Sequence, residues 1–304
     1  MISLLNSMVT IKAQVPDNAA TAGVLGTLRE GVGVRISKDG LICTIGYLCL
    51  EATGIWVTSS SGQTAPAYIV AQDFESGLTL LLPGTDLGNS YLEPADLTGI
   101  QKGQNLSVLN DIEGPPFPCR LLSISEFAGR WEYLIDDALY TLPACDNWGG
   151  AALLNEDNQL IGIGSLFLQF PGEGDQAVYG NMFVPIQLII PHLDEMRRTG
   201  HRGQPPRPWL GMMVDEVAHD LVVMGVYPSG PADRAGIKPE DRVVTLAGAP
   251  LRTLSGFLRT LWSLGEAGAD IRLLLDRQGE VFEAVVESTD RSTFFSETSP
   301  RGLN

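Results

Sequence analysis

The sequence predicts a mainly β protein, with closed barrels over the first two-thirds, then a linker and a smaller α+β domain. Three observations predict it. About a dozen short segments rich in Val, Ile, Leu, Thr and Tyr recur between turn signals over residues 8–186. No strand–helix alternation accompanies them, which disfavours a parallel α/β sheet and favours a closed barrel or pair of barrels. Beyond a proline-, glycine- and arginine-rich stretch at 196–207, strands do alternate with two helical pieces.

The first-domain segments are, in order, MVTIKAQV, GVGVRIS, LICTIGY, GIWVTSS, APAYIVAQ, LTLLLP, NLSVLN, CRLLSIS, WEYLID, AALLN, LIGIGSLFL and NMFVPI. Turn chemistry at Lys38-Asp39-Gly40, Ser61-Gly62, Pro83-Gly84, Pro115-Pro116 and Asp146-Asn147 punctuates them. A helical stretch over Pro185–Arg198 leads into the linker. After it come the strands LGMMVDEV, DLVVMGVY, DRVVTLA, DIRLLLD and EVFEAVVE, with helices expected over Gly230–Gly236 and in TLSGFLRTLWSLG. The domains are therefore drawn at 1–195 and 208–288, joined by the linker 196–207, with a polar tail at 289–304 expected to lack structure. Phe294-Phe295 is the tail's only apolar feature.

Composition narrows the function. The net charge is −16. Residues 1–195 carry 7 basic against 22 acidic side chains, a balance of −15, and residues 196–304 carry 13 against 14, a balance of −1. Such an acidic first domain repels phosphate backbones and anionic lipid, so neither nucleic acid nor a membrane surface suits it, whereas a basic protein surface does. No apolar run approaches the roughly 20 residues of a membrane span. The N-terminus MISLLNSMVTIKAQ shows no basic leader and no small-residue cleavage pattern, which predicts a cytoplasmic protein. Cys43, Cys49, Cys119 and Cys145 fit neither a disulfide framework nor a zinc spacing, so no metal and no cofactor is expected.

One absence bears on chemistry. All three histidines, His192, His201 and His219, follow residue 191. The segments nonetheless resemble the HtrA (DegP-type) family of serine proteases over residues 8–288. In GVGVRISKDGLICTIGYL, Gly31, Gly33, Gly40 and Thr44 match the strand that presents the family's catalytic histidine, and Tyr47 stands at the histidine position. In Asp73-Phe74-Glu75-Ser76-Gly77-Leu78-Thr79-Leu80-Leu81, Gly77 takes the place of the aspartate. In Asp146-Asn147-Trp148-Gly149-Gly150, Trp148 takes the place of the nucleophilic serine and Asp146 that of the oxyanion-hole glycine. NMFVPIQL resembles a later strand of the family.

The resemblance implies a trypsin-like double six-stranded β-barrel followed by a PDZ domain. The PDZ signature matches over Gly225–Asp241, apart from Gly230 and Glu240. Trp209-Leu210-Gly211-Met212 matches the loop whose N–H groups take a bound chain's terminal carboxylate, and Met213 opens the peptide-pairing strand. Phe257, Leu258 and Leu261 are groove candidates on the later helix, with ordinary core packing as the alternative.

A tyrosine, a glycine and a tryptophan at the three triad positions supply no base, no orienting carboxylate and no nucleophile. The expectation is therefore a chain that is not an enzyme. It would be a pseudoprotease acting as scaffold, adaptor or chaperone-like assembly subunit, binding protein partners through the PDZ groove, the acidic barrel surface or both, with homo-oligomerisation compatible. Two alternatives stand beside it. One is a hydrolase with chemistry relocated to Cys145 or Cys49, and the other is a purely structural subunit. Tyr47 and Trp148 either plug the old cleft or line a small-molecule pocket there.

Overall fold

A computed structural model of the chain describes residues 2–172 and 176–298. The chain forms two compact units. Among the described residues, one holds residues 2–126 together with Asp136–Gly203, and the other holds Phe127–Ile135 together with residues 204–298.

In the first unit the twelve expected segments all form strands. β1 (Met8–Gln14), β2 (Leu28–Arg35), β3 (Ile42–Ile45), β4 (Gly54–Ser59), β5 (Thr64–Asp73) and β6 (Leu78–Pro83) close a barrel in the order β1-β2-β3-β6-β5-β4. β7 (Asn105–Leu109), β8 (Phe117–Gly129), β9 (Tyr133–Leu142), β10 (Ala152–Leu154), β11 (Leu160–Pro171) and β12 (Ala177–Pro185) close a second in the order β10-β11-β12-β9-β8-β7. Alternation drives this closure: along β1, Val9, Ile11 and Ala13 are buried while Lys12 and Gln14 face water. Gly150 sets a close approach between loop and strand. At φ 82° it sits left-handed, and a Cβ there would fall 1.8 Å from the Val32 carbonyl oxygen.

Several expectations are corrected. WEYLID was drawn as one strand, but β9 begins only at Tyr133. Arg130, Trp131 and Glu132 form a three-residue hairpin turn after β8, with Glu132 left-handed at φ 57°. The helix expected over Pro185–Arg198 is two 3₁₀ turns, Ile186–Leu188 and Ile190–His192, and then an α-helix Leu193–Thr199. Pro191, which lacks an N–H, limits the helix to its downstream part. The linker drawn from 196 starts inside that helix, where Met196 is fully buried, and Arg202 closes an ion pair onto buried Asp73. The tail is also ordered in part, because Arg291–Thr298 is helical and buries Phe294 and Phe295.

The second unit contains β13 (Met212–Val217), β14 (Asp220–Val226), β15 (Arg242–Leu246), β16 (Ala249–Pro250), β17 (Asp270–Arg277) and β18 (Glu280–Glu287). The sheet runs β13-β14-β15-β17-β18 with β16 on β15, so β13 is an edge strand. Ala218 and His219, both at positive φ, make the two-residue turn that pairs Val217 with Asp220 and keeps the β13–β14 hairpin short. Helices Pro231–Arg234 and Leu254–Ser263 cover the sheet. The second is capped by Thr253, whose side chain accepts from the Gly256 N–H, and by Glu216 of β13, which accepts from the Leu254 N–H at 2.7 Å. Leu210, Met212, Val214, Phe257, Leu258 and Leu261 lie together in its core.

Candidate functional site

Two places bring together residues singled out by the sequence. In the first unit, β3 ends in the 3₁₀ turn Gly46–Leu48, and the β5–β6 turn lays Gly77 against it: the Gly46 N–H donates to the Gly77 carbonyl at 2.7 Å. Loop 146–150 arrives from the other side, where the Val32 N–H donates to the Gly149 carbonyl at 2.9 Å and the Tyr47 hydroxyl sits 2.9 Å from where a Gly149 Cβ would stand. Positions 47, 77 and 148 thus converge.

Their chemistry is specific. The Tyr47 hydroxyl donates to the Ser165 carbonyl at 3.0 Å. Burial pushes this phenol well above its ordinary pKa, with the Trp148 indole beside it pulling the other way. Trp148 is half-buried and leans on Phe167, with ring centres 5.3 Å apart, and Phe167 stacks on Tyr179 at 5.4 Å. Asp146 is exposed, and its carbonyl accepts from the Asn110 side-chain amide at 2.5 Å.

The four cysteines are all reduced and buried. Burial pushes the Cys145 thiol up to about 11 and those of Cys49 and Cys119 to about 12, and Cys43 moves in the same direction. A thiol in that state is protonated at neutral pH and is a poor nucleophile. The Cys145 N–H is held by the Asn181 side-chain carbonyl at 2.7 Å, which marks this cysteine as part of the packed interior. The relocated-cysteine alternative therefore finds no activated thiol among the described residues.

The second place is the loop ahead of β13. The Leu210 carbonyl accepts from the Ala232 N–H at 2.8 Å, and the Gly211 carbonyl accepts from the Tyr227 N–H at 2.9 Å. With both carbonyls engaged on that side, the N–H groups of Leu210, Gly211 and Met212 turn to the other, where they meet one carboxylate. Gly211 permits the turn. It is left-handed at φ 71°, and a Cβ there would lie 3.0 Å from Pro231 Cδ and 3.1 Å from the Trp209 ring. Trp209 itself is buried, its ring centre 5.4 Å from that of Tyr227.

The carboxylate is that of Glu132. Its Oε1 accepts from Leu210 at 3.1 Å, Gly211 at 3.0 Å and Met212 at 3.5 Å, and its Oε2 accepts from Leu210 at 3.2 Å. Glu132 is only 6% exposed. Burial raises its pKa to about 7, opposed by the three N–H donors and the Arg291 guanidinium. Sequence reading found the loop but missed Glu132 and Arg291. The only signals for them were a lone acidic residue in GRWEY and an arginine ahead of Phe294-Phe295. Of the candidate groove residues, Met213 is half-buried on the edge strand, while Phe257, Leu258 and Leu261 are fully buried in the core. Helical periodicity alone does not separate a core face from a groove face.

Residues 208–287 match the PDZ domain family model. The chain is 28% identical over 285 residues to a protein of Chlamydia pneumoniae named "Probable periplasmic serine endoprotease DegP-like", covering 84% of this chain and 54% of the relative. It is 27% identical over 269 residues to a protein of the same name from Halomonas elongata, covering 82% and 54%. Among solved structures, an HtrA-type AlgW protease variant with a tripeptide aligns at TM-score 0.55 and 20% identity over 96% of this chain and 97% of that one. The chain thus spans 54% of the length of either curated relative.

These findings correct two expectations. The chain was expected not to be an enzyme, but both relatives are named serine endoproteases and the solved neighbour is an HtrA-type protease. The residues at positions 47, 77 and 148 therefore do not by themselves place the chain outside that group. The cytoplasmic expectation is overturned by the same relatives, which are named periplasmic. Family model, sequence relatives and fold together support an HtrA/DegP-like chain whose C-terminal domain is a PDZ domain.

Proposed function

We propose that the chain binds protein partners by capturing an extended segment in its PDZ domain, and that it serves as an adaptor or scaffold subunit in doing so. The N–H groups of Leu210, Gly211 and Met212 take the carboxylate of a chain end, with Trp209 anchoring the loop from behind. Met213 and Val214 on the edge strand β13 pair with the segment as an added strand. Phe257, Leu258 and Leu261 hold the helix that walls the groove. One observation carries this reading: three loop N–H groups converge on a single carboxylate beside the edge strand of the sheet. The acidic first domain adds a surface suited to basic partners.

The test is anisotropy of a labelled decapeptide with an apolar last residue, titrated with the full chain, against the same peptide amidated at its C-terminus. Amidation is expected to weaken binding about tenfold or more, because the charge-assisted bonds to the loop are lost. Equal affinity for the two peptides overturns carboxylate capture.

A further inference from the structure

The carboxylate loop already holds a carboxylate from this chain, and what surrounds it is built like a bound peptide. The hairpin tip Phe127–Ile135 belongs to the same compact unit as the PDZ domain. Two residues before Glu132, the Arg130 carbonyl accepts from the Val214 N–H at 3.2 Å, a backbone bond on the edge of β13 where an added strand would pair. The Arg130 guanidinium pairs with Asp215 of the same strand at 3.0 Å. Ala128 and Leu134, flanking the turn, pack on the PDZ core. Arg291 donates to the Trp131 carbonyl at 2.9 Å and its positive charge faces Glu132.

The backbone supplies an independent observation. Glu132 is the last residue of a three-residue hairpin turn, in the left-handed conformation at φ 57°. Glycine is the residue that position favours, and a strained non-glycine residue there signals a side chain with a role. The role visible here is to place a carboxylate where a chain terminus would sit.

Resting on the peptide-capture reading, we propose that Arg130–Glu132 is the resident ligand of the PDZ carboxylate loop, so that an outside chain end enters only by displacing it. The loop is then an occupied site with a built-in competitor. A partner gains access in proportion to how well its own terminal carboxylate and paired strand outdo those of the hairpin.

The test uses the full chain. The labelled decapeptide with a free carboxylate is titrated against wild type, Glu132→Gln and Glu132→Gly, the last of which suits the left-handed turn. About tenfold tighter binding by Glu132→Gly is expected, with Glu132→Gln in between. Equal affinity in all three overturns the resident-ligand assignment and leaves peptide capture standing. A second measurement needs no peptide: hydrogen exchange at the Leu210, Gly211 and Met212 amides is expected to be about tenfold slower in wild type than in Glu132→Gly. Equal exchange overturns the proposal. Slowed exchange in wild type with no peptide binding by any variant supports the resident ligand and overturns capture of outside chains.

Discussion

The Phe294 ring lies with its centre 4.8 Å from that of Trp209, placing the chain's tail directly behind the carboxylate loop. Phe295 and Tyr227 complete the cluster at 5.6 and 5.4 Å from the same indole. Trp209 and Thr289 exchange two backbone hydrogen bonds of 3.1 Å. Phe294→Ala removes a buried ring from this stack and is expected to lower stability by about 3 kcal/mol. Urea unfolding followed by tryptophan fluorescence measures it, and an unchanged midpoint would count against the tail as a structural element.

Glu132 makes stability depend on pH. Its folded-state pKa is about 7 against an ordinary value of about 4.5. The folded chain thus keeps a proton that the unfolded chain has released between those values, so stability falls as pH rises from about 4.5 to about 7. The full window is worth on the order of 3 kcal/mol. The charge facing this group is Arg291 on the tail helix, while Arg130 of its own hairpin is paired with Asp215 on β13. Tyr133 and Tyr227 lie near Arg291. Denaturant melts at pH 5 and pH 8 should show wild type losing more stability than Glu132→Gln. A steeper loss in the variant would sink the assignment.

The thiols should be inert in the native state. With all four buried and their pKa values pushed up, a thiol-directed chromogenic reagent at pH 7.5 is expected to label none of them within minutes and all four after unfolding. Rapid native labelling of Cys145 would restore it as a nucleophile.

Tyr47→Phe keeps the ring and deletes the bond to the Ser165 carbonyl. The expected cost is about 1 kcal/mol, with the barrels' far-ultraviolet spectrum unchanged. A stabilised variant would show that the hydroxyl is not satisfied there.

The barrels were legible because alternation and turn chemistry act locally: strands such as β1 alternate buried and exposed positions, while wholly buried ones such as β3 and β10 are read from short apolar runs between turn signals. The loop Trp209–Met212 was singled out by its resemblance to the PDZ loop, and its N–H groups meet the Glu132 carboxylate. Its occupant was not legible, because Glu132 and Gly211 lie 79 residues apart and nothing in GRWEY distinguishes a turn carboxylate from a solvated one. The strand drawn through Trp131 and Glu132 failed for the same reason, since an apolar–acidic alternation there mimics a half-exposed strand. The tail failed differently. A polar segment with two aromatics gives no core of its own, and Phe294 and Phe295 acquire one only against Trp209 and Tyr227.

Hairpin tips are ordinarily where a protein absorbs added residues without complaint. The turn at Arg130–Glu132 inverts that rule. One residue inserted between Gly129 and Glu132 would change the length and type of the turn, carrying the carboxylate away from Gly211 and breaking the Arg130–Val214 hydrogen bond together. In a library of loop insertions across the molecule, this surface turn should therefore behave like a core position, with its length as intolerant of change as the identity of a buried leucine.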